Sequence, residues 1–200
     1  MADLPKHKLT ADEFLAWAED QLPEAGKFEL WDGEVVVRHG PGFEERSQHW
    51  EAKFAMSMAL HDAVKRAGLP CHVAADGPMV RLSPYKMAKP DVLVYCGPKV
   101  PRGAQEVPNP LILVEVLSPS TKKRDHGAKL QGYFTLPSLF HYLIVDHDRT
   151  RLVHHKRRAA DAIEPHIVTG PRLQLEPPGL DVDLTEVLAS WEVSEPEGLC

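Results

Sequence analysis

Cysteine is scarce in this chain. Cys71, Cys96 and Cys200 are the only three among 200 residues, and no two form a C-x-x-C pair. Three scattered cysteines imply neither a disulfide framework nor a zinc ribbon. Long apolar runs are also missing, and no stretch approaches the roughly 18 consecutive apolar residues of a membrane-spanning helix. The first ten residues, MADLPKHKLT, hold no apolar segment of the signal-peptide kind. A cytoplasmic, reducing location is the expectation. Positive charge is not in excess: 23 Lys and Arg stand against 29 Asp and Glu, a formal net charge of −6. That argues against gripping nucleic acid through a broad basic surface alone, although a bound cation would bring its own charge. The phosphate-loop, dinucleotide-loop and nucleophile-elbow signatures are absent, so ATP hydrolysis, dinucleotide binding and serine hydrolysis lack support. His154-His155 has no partner at zinc-finger spacing.

What is present suits one globular domain covering residues 1–200, with its core at about 10–190. Thr10-Ala11-Asp12-Glu13 is a capping box that should open a short helix ending before Pro23. Asp32-Gly33 between alternating residues predicts a hairpin. Residues 43–67 lack proline and glycine, and Met56, Leu60, Ala63, Val64 and Ala67 recur at helical spacing. Short strands are predicted near Cys71–Ala74, Met79–Leu82 and Asp91–Cys96, then a stronger one at Leu111–Leu117. A second helix should run from Asp125 to before Pro137. A hairpin should follow at Phe140–Asp146 and Arg151–His155, and a proline-rich tail with room for short strands only. The fold class expected is α/β or α+β: a mixed central sheet flanked by helices, with additional β-hairpins.

The strand Leu111–Leu117 raises the functional question. Alternation places Leu111, Leu113, Glu115 and Leu117 on one face and Ile112, Val114 and Val116 on the other, so both faces are apolar. A carboxylate there needs a cation, a shifted protonation state or local exposure. Pro90-Asp91 opens another strand, as a residue without an N–H can. If the two strands are neighbours, Asp91 and Glu115 meet at one end of the sheet. Two carboxylates with a backbone carbonyl make a hard oxygen site suited to Mg²⁺ or Mn²⁺. The bland alternative is a strand-start acid and a paired core charge.

These residues belong to a wider pattern. It includes Phe28-Glu29-Leu30-Trp31-Asp32-Gly33-Glu34, His49, Lys89-Pro90-Asp91-Val92, and Val114-Glu115-Val116-Leu117-Ser118-Pro119-Ser120-Thr121. Asp125, Lys129 and Tyr133 follow, then Tyr142-Leu143-Ile144-Val145-Asp146. The chain resembles the bacterial Uma-two family of restriction-endonuclease-like proteins, within the PD-(D/E)XK nuclease superfamily, over roughly residues 10–190.

The resemblance implies a restriction-endonuclease-like fold and a metal-dependent endonuclease that hydrolyses phosphodiester bonds in nucleic acid, DNA first. It implies Asp91 and Glu115 as metal ligands, with Glu29 beside them, and Mg²⁺ or Mn²⁺ as cofactor. The lysine expected two residues after the acid is replaced by Leu117, and the resemblance moves that role to Lys129. Asp125, Lys129 and Tyr133 share one helical face, but an exposed Asp125–Lys129 pair would have the same spacing. His49 and Tyr133 enter as supporting residues. Asp125 does too, although it could equally cap its helix. Lys122, Lys123 and Arg124 are the first candidates for phosphate contact, or a plain exposed loop. The basic hairpin around Arg149, Arg151, Lys156, Arg157 and Arg158 reads as a groove edge or as a charged edge strand. A homodimer is a possible partner state, because cutting both strands of a duplex usually needs two sites. The alternatives to catalysis are an inactive nuclease-fold binding module and a structural cation or ion-pair site.

Overall fold

Thr10 opens the first helix as its sequence requires. In this computed structural model, which describes residues 4–21, 27–39, 47–117, 125–146, 149–159 and 162–191, helix α1 spans Ala11–Glu19. The Thr10 hydroxyl accepts from the Glu13 N–H while the Glu13 carboxylate accepts from the Thr10 N–H at 2.7 Å. Strands β1 (Lys27–Trp31) and β2 (Glu34–His39) form the expected hairpin, with positive φ at Asp32 and Gly33. The turn packs on the N-terminal segment so closely that a Cβ on Gly33 would lie 2.9 Å from that of Lys8.

Helix α2 (Ser47–Ala67) buries Met56, Leu60, Ala63 and Val64 of the predicted core stripe, while Ala67, at its last turn, is exposed. Strands β3 (Cys71–Ala75) and β4 (Val80–Ser83) follow, then β5 (Lys86–Ala88), a three-residue strand that the sequence pattern did not reveal. Next come β6 (Val92–Cys96), β7 (Ile112–Val116), helix α3 (Asp125–Phe134), β8 (His141–Asp146), β9 (Arg151–Ala159) and β10 (Ala162–Val168). The chain continues through the hairpin β11 (Arg172–Leu175) and β12 (Leu180–Asp183) to helix α4 (Thr185–Ala189).

The mixed α+β architecture has a central sheet in the order β10-β9-β8-β7-β6-β3. β7 and β8 are parallel, joined across α3, and the other described pairs in it are antiparallel. A second sheet has the order β2-β1-β5-β4. The two faces of β7 divide the core as alternation predicts. Ile112, Val114 and Val116 pack with α2, the β11–β12 hairpin and α4. Leu113 and Leu117 pack with Tyr133, Phe134, Leu139 and Tyr142 on the other side.

Three expectations change. The tail holds more than short strands, since β10 has seven residues including Pro165. As the edge strand, it can accommodate a residue that donates no ladder hydrogen bond. β9 is therefore interior rather than an edge, and Arg157 is a structural strut whose guanidinium donates to the carbonyls of Leu139, Phe134 and Leu136 at 2.7–2.9 Å. Finally, Cys71 and Cys96 lie directly opposite each other in the β3–β6 pairing and form a disulfide. Their separation of 25 residues gave no sign of this, because strand register brings them together. No described helix is long and apolar enough to cross a membrane.

Candidate active site

β6 and β7 run antiparallel with Val92 opposite Val114. That register sets Asp91, just before β6, against Glu115 near the end of β7. The Asp91 N–H donates to the Val114 carbonyl at 3.1 Å, and the Val116 N–H donates to Asp91 Oδ2 at 2.7 Å. Both acids are buried, at 4% and 3% exposure.

A third acid arrives from the smaller sheet. Glu29, in the middle of β1, is also buried. Its Oε1 accepts from the Lys89 N–H at 3.0 Å, and its Oε2 from the Trp31 indole at 3.2 Å.

Helix α3 contributes two residues. Lys129 is 1% exposed and its ammonium bridges two acids, 3.0 Å from Glu29 Oε1 and 3.1 Å from Glu115 Oε1. The Tyr133 hydroxyl donates to the same Glu115 oxygen at 2.6 Å. Gly132 permits this approach: a Cβ there would come within 3.0 Å of Leu82 Cδ1 and 3.6 Å of the Trp31 ring. His49, near the start of α2, is buried, with its Nε2 2.8 Å from the Val116 carbonyl oxygen, so it braces the end of β7. Asp125 is the first residue of α3, but its side chain, like Lys122, Lys123 and Arg124, lies outside the described residues.

Arg38 is the residue that sequence reasoning missed. The β1–β2 register shifts between Lys27, opposite His39, and Phe28, opposite Val37. Arg38 is the extra residue of that bulge, and bulges re-aim side chains. Its Nη2 donates to Glu115 Oε2 at 2.6 Å and lies 3.6 Å from Asp91 Oδ1. Its Nη1 donates to the Lys89 carbonyl and lies 3.8 Å from Glu29 Oε1. A faint signal existed in the arginine following the apolar run Val35-Val36-Val37, but the bulge itself is set by pairing. A basic cluster also went unnoticed nearby. The ammonium groups of Lys27 and buried Lys53 meet Asp76 at 2.8–3.0 Å, and the Asp76 N–H donates to the Asp91 carbonyl.

Burial and charge separate the two central acids. Burial, and then the Glu115 charge, push the Asp91 carboxyl up, against the pull of Arg38 and the Val116 N–H. Burial also pushes Glu115 up, but Arg38, Lys129 and the Tyr133 hydroxyl outweigh it and hold this carboxyl below its usual range. Burial and the Glu115 charge raise the Tyr133 hydroxyl well above the ordinary phenol value, so it remains a donor. The site thus brings together five of the candidates, Glu29, Asp91, Glu115, Lys129 and Tyr133, with His49 behind them and Arg38 added.

The "Uncharacterized protein slr1290" of Synechocystis sp. (strain PCC 6803) is 28% identical over 178 residues, covering 88% of this chain and 89% of that protein. A crystal structure from Anabaena variabilis described as "a putative nuclease belonging to DUF820" superposes with a TM-score of 0.69. It covers 92% of this chain and 99% of its own at 15% identity, a likeness of fold. A family match extends over residues 11–190, and on that span the chain belongs to the Uma2 family, described as "Putative restriction endonuclease".

Proposed function

We propose that the chain is a metal-dependent endonuclease that hydrolyses phosphodiester bonds in nucleic acid, with DNA as the first substrate. The observation that supports this most is the convergence of Glu29, Asp91, Glu115 and Lys129 from two sheets and a helix into one buried cluster. Such concentrations of charge are costly in a core and gather at functional sites.

The donor set suits Mg²⁺ or Mn²⁺, being made of hard carboxylate oxygens. A stand-in supports that fit: Arg38 Nη2 already occupies a cation position between Asp91 Oδ1 and Glu115 Oε2. In this reading Asp91 and Glu115 hold the metal, with Glu29 beside them. When bound, the ion lowers the pKa of a water and offsets charge on a phosphoryl oxygen. Lys129 orients the attacking water or balances the charge that develops on phosphorus oxygens. Tyr133 and the Val116 N–H keep Glu115 and Asp91 in place, and His49 holds the end of β7, which carries Glu115 and that N–H. Lys122, Lys123 and Arg124 remain candidates for phosphate contact, and a homodimer would supply two sites for a duplex.

Matched, end-labelled DNA and RNA should test this with Mg²⁺ or with EDTA. Wild type should cut DNA only with the metal, and Asp91→Ala should not cut. Cutting in EDTA, or equal cutting by both proteins, would contradict the reading.

Two observations favour a second reading, a nuclease-fold binding module or a structural ion-pair site without catalysis. Leu117 replaces the usual lysine, and Arg38 with Lys129 already offsets much of the acidic charge. Stabilisation by metal without any cleavage would favour it.

A further inference from the structure

Each central acid has one oxygen committed to the fold and one facing Arg38. Asp91 Oδ2 accepts from the Val116 N–H, and Glu115 Oε1 accepts from Lys129 and Tyr133. The remaining pair, Asp91 Oδ1 and Glu115 Oε2, both face Arg38 Nη2, at 3.6 and 2.6 Å. We propose that Arg38 is a built-in counter-cation competing with the divalent ion for these two oxygens, so that metal binding displaces its guanidinium. The inference rests on the metal-dependent reading above and concerns what that metal must do to enter.

Three features support displacement. A guanidinium and a divalent cation repel each other, and these oxygens cannot serve both at once. The charge balance also favours exchange. Among the described residues, Arg38 and Lys129 together leave the three carboxylates one negative charge in excess, which a divalent ion in place of Arg38 offsets. Arg38 is also incompletely held, since its buried Nε has no hydrogen-bond partner among the described residues. A group with an unmet donor loses less on leaving than one with every donor satisfied. Arg38 thereby compensates the acids when no metal is bound, and its hold on Glu115 sets the metal affinity.

Calorimetry with Mg²⁺ alone, without nucleic acid, compares wild type with Arg38→Met. The variant should bind about tenfold more tightly or better, the equivalent of losing one charge-assisted hydrogen bond as competitor. A second readout uses wild type only, in case the variant folds poorly. The ¹⁵N signal of the Arg38 Nε–H should shift on adding Mg²⁺ and saturate with the calorimetric binding. Binding by the variant alone would also support the proposal. If Mg²⁺ binds while the Arg38 signal stays fixed, or if Arg38→Met binds no more tightly, Arg38 is no competitor and the proposal falls, leaving the metal-dependent reading intact. Absence of Mg²⁺ binding by both proteins overturns both.

Discussion

Two buried polar clusters in the central sheet solve the same problem in opposite ways. At the end of β7, charges are buried and paired: Glu29, Asp91 and Glu115 face Arg38 and Lys129. At the start of β8, His141 and His154 are buried with no charged partner at hydrogen-bond distance among the described residues. Their facing nitrogens are 2.8 Å apart, and His141 Nε2 bonds to the Pro177 carbonyl. Burial lowers His141 to about 4 and, with the neighbouring His141, His154 to about 3, so both are neutral near pH 7. The histidine pair ties strands to the β11–β12 loop and needs only to stay neutral. The acid cluster keeps charges that a purely structural core could dispense with, because apolar replacements of a buried ion pair are often as stable. That difference marks the acid cluster as the one to test for function.

The largest expected effect comes from breaking the charge pairing. Lys129→Met leaves Glu29 and Glu115 short of a cation and should destabilise the fold by about 3–5 kcal/mol, measured by urea unfolding at pH 7.

The histidine pair should respond to pH instead. Its folded pKa values lie below the unfolded value, so the unfolded chain takes up protons first as pH falls. The contribution is complete above about pH 6.5 and is lost as pH falls toward 4 for His141 and 3 for His154. Between pH 7 and 5 the loss should be about 2 kcal/mol per histidine. His154→Phe should flatten the urea midpoint's pH dependence by roughly half. An unchanged slope would erase the contrast between the clusters.

A smaller effect sharpens the acid side. Tyr133→Phe removes one of the two donors to Glu115 Oε1 among the described residues and should cost about 1–2 kcal/mol. The Glu115 carboxyl should titrate higher than in wild type, observable by ¹³C NMR.

The parts of the site readable from sequence were those marked by a local mismatch. Glu115 was visible as a charge inside an apolar strand and Asp91 by the proline before it, whereas spacing put Lys129 and Tyr133 on one helical face and only the family resemblance gave them a role. The same alternation correctly divided the two core faces of β7. What escaped was set by pairing between distant segments. Arg38 looks like an ordinary end to an apolar strand until the bulge turns it inward, and Glu29 was reached only through the family resemblance, its burial following from the meeting of β1 with Lys89. The Cys71–Cys96 bond and the hairpin of β4 with β5 likewise depend on register that no local pattern encodes.

Supercoiled plasmid offers the most direct test of the central claim, that the acid cluster is a metal-dependent nuclease centre. Wild type should nick it with Mg²⁺ and stop on adding EDTA, while Asp91→Ala, confirmed folded by circular dichroism, should leave it supercoiled. Equal nicking by the two folded proteins, or none by wild type with either Mg²⁺ or Mn²⁺, would contradict the account.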